Sequence, residues 1–453
     1  MYRKGGINID AVLLSRIQFG LTVGFHFLFP PLSIGLAWIV YFMQRRYYRT
    51  RDDIYRRMSR FWVRLLAITF VVGVVSGVVM EFQFGTNWAQ YSKYVGDIFG
   101  APLAAEGVLA FFLESAFIGV LVWGEKRVSP AIYRLSSLLV ALGATLSAFW
   151  IIVANSWMQT PAGYQVVGGR AELTSFVEAV FNPSTLPRYL HTIDAAVITG
   201  AFFILGISAW MLLRNRELEI ARKSLRIGLI AAVIACLAQF GIGHYHTLQV
   251  ASTQPEKFAA MEGLFQTERG ASFMLFGQVD PENRTVRNQI AIPGLLSWLV
   301  TMDVNSEIQG LNSFPVNEWP PVKTTFYTFH PMVILGILFF LLSLWGLVLL
   351  KKNTLYSSRC FLRLAVFFIP LPFIGNELGW ITAEVGRQPW IVYRLLRTAD
   401  AVSINVPAQQ IAASLVMFSI IALLLLGLWV FLIAREVRQA AITGSSGKEA
   451  ASI

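Results

Sequence analysis

The sequence predicts an all-α polytopic membrane protein: nine transmembrane helices in one bundle, with the N-terminus outside and the C-terminus cytoplasmic. Three observations carry that prediction. The 453 residues are 55% hydrophobic and only 14% charged, more apolar surface than a soluble fold can cover. Nine apolar runs approach the roughly 20 residues that cross a hydrocarbon core of about 30 Å as a helix. Lysine and arginine gather in alternate short links between those runs, which sets an orientation.

The formal charge of +11 would suggest nucleic acid in a soluble protein. Here the cations flank apolar runs, the pattern of cytoplasmic anchoring, so no nucleic-acid partner is expected. Cys236 lies in an apolar run and Cys360 in a basic loop, giving no disulfide framework, no zinc spacing and no covalent haem motif. The opening "MYRKGGINID" is polar, and the run after it is too long for a signal-peptide core, so no cleaved leader is expected.

The first run, about 15–43, contains "LTVGFHFLFPPL". His26 there lies roughly 15 Å beyond Arg16, near mid-bilayer. It reads either as a hydrogen-bonded core histidine or as a metal ligand. The link "RRYYRTRDDIYRR" then marks the cytoplasmic side. After a second run, about 61–80, the third, about 101–123, carries Glu106 and Glu114 in "APLAAEGVLAFFLES". In a regular helix they stand about 80° apart. Two acids on one broad stripe of a membrane helix mark a proton or ion path more often than a structural pair. Ser147 and Asn155, on the fourth run at about 135–158, extend such a path.

The fifth run, about 189–213, opens near His191 in "PRYLHTIDAA". The sixth, about 226–249, ends at "GHYH", where His244 and His246 point to different sides of a helix and carry little weight as ligands. A polar stretch at about 251–324 follows, long enough to be either disordered or functional. In it Lys257 and Glu262 lie on a short helix, "EKFAAMEGL", where solvated charge is the default reading. The seventh run, about 325–350, holds Met332 near its outer end. Its depth matches that of His191. A histidine and a methionine on separate helices suit a low-spin electron-transfer haem, because methionine raises the reduction potential.

The eighth run, about 361–382, leads into "NELGWITAEVGRQPW". Spacings of four and three place Trp380, Glu384 and Arg387 on one face, with Pro389 just beyond. The plain reading is an ion pair snorkelling at the interface. The other is a carboxylate ligand for a metal centre, with Arg387 neutralising a propionate and Trp380 packing on a macrocycle. The ninth run, about 410–434, precedes a tail at 440–453 expected to be flexible and cytoplasmic.

With these residues on the page, the sequence resembles subunit I of the cytochrome bd-type quinol oxidases over about residues 10–435. The motifs that carry this are "SRIQFGLTVGFHFLF", "MEFQFGTNWAQYSKYVGDIFGAPLAAEG", "FFLES", "ALGATLSAFWIIVANSWMQTP", "EKFAAMEG" and "GWITAEVGRQPW". The resemblance implies a respiratory terminal oxidase that oxidises quinol near the outer face. Electrons would pass through three haems, and dioxygen would be reduced to water with cytoplasmic protons, moving charge without pumping.

By the same resemblance His191 and Met332 are axial ligands of a low-spin haem b. His26 and Glu384 are ligands of two high-spin haems, one a haem b and the other haem d or a haem b in its place. Glu106, Glu114 and Ser147 match a proton route, Lys257 and Glu262 the quinol loop, and Trp380 and Arg387 the surroundings of the haems. A second large membrane subunit is implied, with a small single-helix accessory subunit as a further candidate, in the bacterial cytoplasmic (inner) membrane. The chain is then one transmembrane haem-binding domain over 1–453, with a quinol loop at 251–324. One departure is "FHPM", where His330 stands at a position often arginine in the family. The outer loop is also of the short kind. The competing readings are a proton-coupled transporter, for which no internal repeat is visible, and a membrane cytochrome b that does not touch oxygen.

Overall fold

The computed structural model describes residues 10–449, without side chains at 109, 110 and from 440 onward. The last helix, Ala408–Glu449, runs into the tail expected to be flexible at 440–453, of which residues 450–453 lie outside the described residues. Among those described, nine helical segments are long and apolar enough to cross a membrane. They are Ala11–Thr50, Asp53–Thr86, Ala89–Trp123, Pro130–Gln159, Thr185–Leu213, Leu218–Thr253, Val322–Lys351, Arg359–Val385 and Ala408–Gln439.

Local chemistry sets the ends. Asp10, Asp52 and Ser129 cap helix starts by accepting backbone N–H groups of Val12, Ile54 and Ile132. Three spans are broken within the bundle. The first changes direction at Leu28, between the helices Ala11–Phe27 and Phe29–Thr50. Pro30 and Pro31 open the second piece, each lacking an N–H for the preceding turn. The eighth is interrupted before Pro370 and Pro372. The third widens into a π-helical turn at Glu106–Phe111, four residues after Pro102.

This third helix starts at Ala89, well before the expected 101, because "AQYSKYVGDIFG" is too polar to show as an apolar run yet still coils and buries Tyr91, Tyr94 and Phe99. The second span likewise overruns its apolar run at both ends.

The fifth span is the central post. Its apolar window is 83% buried, against 6% for the ninth, so the ninth lies at the edge of the bundle, packed along one side through residues such as Ile411, Trp429 and Ile433. The first and fifth spans cross at Gly35 and Gly200; a Cβ on Gly35 would lie 2.2 Å from the Ala196 carbonyl oxygen. Only glycine permits that approach. Around the crossing pack Leu32, Leu36, Trp62, Phe202 and Phe361.

The stretch 251–324 is ordered by an apolar cluster of its own that includes Phe258, Met261, Leu264, Leu296, Leu311 and Phe326. It holds a short helix, Pro255–Glu262, and an antiparallel hairpin of Phe273–Asp280 with Thr285–Ile292. Glu268–Arg269 pairs with Glu307–Ile308. The helix ends on Gly263 in the left-handed region, at φ 69°.

Candidate functional site

The four expected ligands come from four spans. On the first, His26 lies just before the break at Leu28. Its Nδ1 is 3.0 Å from Ser76 Oγ, and that hydroxyl donates to the Gly73 carbonyl at 2.9 Å. The serine can therefore only accept from the ring, which puts the proton on Nδ1 and leaves the Nε2 lone pair free. A Cβ on Gly77 would stand 3.1 Å from His26 Cε1, so the glycine makes room for the ring.

On the fifth span, His191 faces the sixth. Gln239 Nε2 approaches its ring nitrogens at 3.3 and 3.4 Å, and the His246 ring lies 5.3 Å away, centre to centre. On the seventh, Met332 turns its sulfur against Gly379 of the eighth, where a Cβ would lie 2.9 Å from Sδ.

Glu384 is the point where charged groups converge. Arg387 Nη2 donates to Oε2 at 2.5 Å and Asn155 Nδ2 to Oε1 at 3.0 Å. Arg188 Nη2 lies 3.9 Å from Oε1 and also donates to Asn155 Oδ1. The i,i+3 pair exists, but snorkelling does not describe it. Arg387 is only 4% exposed, and its Nε and Nη1 are buried without partners, as is Arg188 Nε. Trp380 sits apart from these charges, beside Gly24 of the first span, as does Glu377, whose Oε2 would meet a Cβ on Gly24 at 3.2 Å.

The short helix Pro255–Glu262 docks onto this turn. Lys257 Nζ donates to the Ala383 carbonyl at 2.9 Å and to Gln159 Oε1 at 3.0 Å. Gln159 Nε2 reaches the same carbonyl at 3.2 Å. Lys257 and Glu262 are not solvated charges: each is 3% exposed. Burial, reinforced by Arg188, pushes the Lys257 ammonium well below the usual lysine range against the pull of Glu384. Burial alone lifts Glu262 to about 8, and its Oε2 has no partner.

Glu106 accepts from Ser147 Oγ at 2.7 Å, and Glu114 is buried against Gly143, one turn along the same fourth span. The π turn between the acids corrects their expected 80° separation. One inserted residue shifts the helical phase by about 100°, so eight residues advance like seven and the acids fall about 20° from a common line.

Comparison with known proteins places this arrangement. The family model described as "Cytochrome bd terminal oxidase subunit I" matches residues 14–441. The chain belongs to this family. It is 40% identical to cytochrome bd ubiquinol oxidase subunit 1 of Bacillus subtilis (strain 168), with 96% of this chain and 95% of that one covered. It is 37% identical to cytochrome bd-II ubiquinol oxidase subunit 1 of Escherichia coli (strain K12), covering 94% and 95%. The solved bd oxidase of Geobacillus thermodenitrificans superposes with a TM-score of 0.90 at 30% identity, covering 95% of this chain and 99% of that one.

As a bd oxidase subunit I the chain is a multi-pass membrane oxidoreductase subunit, and the family implies haem. The residues present fit that group. Among the described residues no cluster of three or more His, Cys, Asp or Glu could hold a bare ion. A porphyrin needs only one or two axial ligands, and isolated His, Met and Glu side chains on separate spans are of the chemical type that could serve. The unpartnered Nε and Nη1 of Arg387 and Nε of Arg188 are the donors that macrocycle carboxylates require.

Several residues around the site carried little sequence signal. Arg188 reads as an ordinary flanking cation, Gln239 and Gln159 as polar breaks in apolar runs, and Glu377 as part of a motif dominated by Glu384. His246 was given little weight, yet its ring lies beside His191 while His244 is placed elsewhere on the turn. His330 packs on Phe326, 4.0 Å between ring centres, and near Phe273 of the outer hairpin at 6.4 Å, which puts it in the loop's apolar cluster.

Proposed function

We propose that this chain is the haem-carrying subunit of a quinol:oxygen oxidoreductase of the bacterial inner membrane, working with a second large subunit and a small single-helix accessory subunit. His191 and Met332 hold a low-spin haem b. His26 and Glu384 each hold one high-spin haem, a haem b and a haem d or its haem b substitute. Haem at these ligands supplies electron transfer and, where an axial position stays open, oxygen binding. The observation that carries the reading is the turn at Ala383–Glu384, where a loop helix and a buried charge cluster meet on the same two residues.

The chain's own residues divide the remaining work. Lys257 and Glu262 bind and orient quinol on the outer loop. Lys257 grips the carbonyl preceding Glu384, so quinol occupancy is felt at the ligand's own turn. Arg387 and Arg188 balance the Glu384 carboxylate and present free N–H groups to propionates. Glu106, Ser147 and Glu114 hold protons along one stripe that begins away from the outer loop. Basic residues gathered in alternate links, all on one side, set the N-terminus outside, so protons for water formation enter from the cytoplasm and quinol protons leave outside. Charge is separated without a pump.

Reduced-minus-oxidised spectra of the purified complex, taken with oxygen uptake on quinol, test the assignment. Low-spin and high-spin features with uptake are expected, and Met332→Leu should remove the low-spin band while high-spin haem is partly retained. An unchanged low-spin band in that variant would refute the ligand assignment.

A further inference from the structure

At the end of the bundle opposite the His191 turn, the fifth and eighth spans flank an open cavity of about 430 Å³ lined by Trp210, Leu213, Arg214, Arg359, Arg363 and Val366. We propose that this cavity binds the phosphate headgroup of an anionic phospholipid, with the acyl chains running down the neighbouring apolar surface.

The charges make the case. Several cations at this end are occupied within the protein. Arg56 and Arg60 share Glu125, Arg57 pairs with Glu217, Arg64 with Glu436, and Lys223 with Asp52. Arg222 stacks over Tyr356 and Arg134 over Tyr48. The side chains of Arg214, Arg359 and Arg363 have no such partner among the described residues, and all three are exposed around one cavity. Arg359 and Arg363 are also four apart on one helix, a spacing at which like charges repel. Arg359 lies in its first turn, where the backbone dipole disfavours a cation. Three planar guanidinium groups held together against both effects match an anion with several acceptor oxygens, such as a phosphate.

The remaining walls select a lipid over a small ion. Leu213 and Val366 give the cavity an apolar side, and Trp210 is the amphipathic ring that settles at headgroup depth. Beside them Leu364 and Phe367 are exposed on the eighth span, Phe367 at 64%. A free phosphate would gain nothing from that surface, whereas acyl chains would cover it. Basic pockets between membrane helices bind anionic headgroups on this principle.

Native mass spectrometry of the detergent-solubilised holo-complex tests the proposal, because the mass of a retained adduct separates a lipid from inorganic phosphate. The complex is titrated with phosphatidylglycerol, with phosphatidylcholine and with inorganic phosphate, and haem absorbance checks that each variant is folded. The wild type should retain phosphatidylglycerol in preference to phosphatidylcholine. Arg359→Gln/Arg363→Gln should weaken that retention about thirtyfold, while Arg216→Gln, which removes a nearby charge outside the cavity, should not. Equal retention of both lipids, equal loss in Arg216→Gln, or displacement of phosphatidylglycerol by millimolar phosphate with no dependence on chain length would overturn it. If the double variant loses haem, Arg363→Lys is read instead: retention within a few-fold of wild type supports a phosphate site, and retention identical in Arg363→Ala refutes it.

Discussion

At the scale of single residues, the two buried ionisable groups of the helix Pro255–Glu262 make separable predictions. Glu262 is lifted to about 8 by burial. Its folded form holds a proton that the unfolded chain releases near pH 4.5, so stability falls as pH rises from about 4.5 towards 8. Glu262→Gln should flatten that slope, read as the change in thermal midpoint of the complex between pH 6 and pH 9; a slope identical to wild type would show that this carboxyl is not the source. Lys257→Met removes the hydrogen bonds to Gln159 and Ala383. Quinol-driven oxygen uptake should drop about 10- to 100-fold, with electron entry from an artificial donor spared. Equal loss with both donors would take this residue out of quinol binding.

Which of these residues the sequence exposed follows from their chemistry. An ionisable or ligating side chain inside a run of Leu, Val and Phe is conspicuous because it is costly there. That is why His26, His191, Glu106, Glu114 and Glu384 stood out. Arg188 did not, because a cation near the end of a span is ordinary until Glu384 and Asn155 from two other spans are seen beside it. Gln159 and Gln239 were silent for the same reason: their partners are distant in sequence.

At the scale of elements, apolar length located all nine spans, and the misplaced boundaries were those where a helix continues through polar sequence. The π turn at Glu106–Phe111 left no comparable trace, since an extra residue in a helical turn does not alter composition. The close approach of the seventh and eighth spans at Met332 and Gly379 gives a test at this scale. Gly379→Ala adds a methyl group 2.9 Å from Sδ, but alanine also favours the helix by about 1 kcal/mol. The complex should keep its thermal stability while the low-spin absorption band shifts or weakens and the high-spin features stay. A change confined to the high-spin bands would place Met332 with the wrong haem.

At the scale of the whole molecule, the bundle sorts its charges by depth. One end carries intramolecular ion pairs and unpaired arginines, and the other carries the buried Glu384 cluster under an ordered loop. An acidic stripe on the third span lies between them. Glu114→Ala should therefore cut oxygen consumption by about 100-fold while haem content per complex stays near wild type. In proteoliposomes, wild-type turnover should acidify the quinol side without any excess over the protons quinol releases. Haem loss in parallel with activity would make Glu114 structural, and excess acidification would mean a pump.

The widened turn in the third span has a consequence beyond the two acids it aligns. Restoring a regular coil between Ala105 and Phe112 would turn the whole following segment, Phe112–Trp123, by about 100° against the fourth span. That one turn therefore fixes which side chains of the segment, Leu113 and Glu114 among them, meet Gly143.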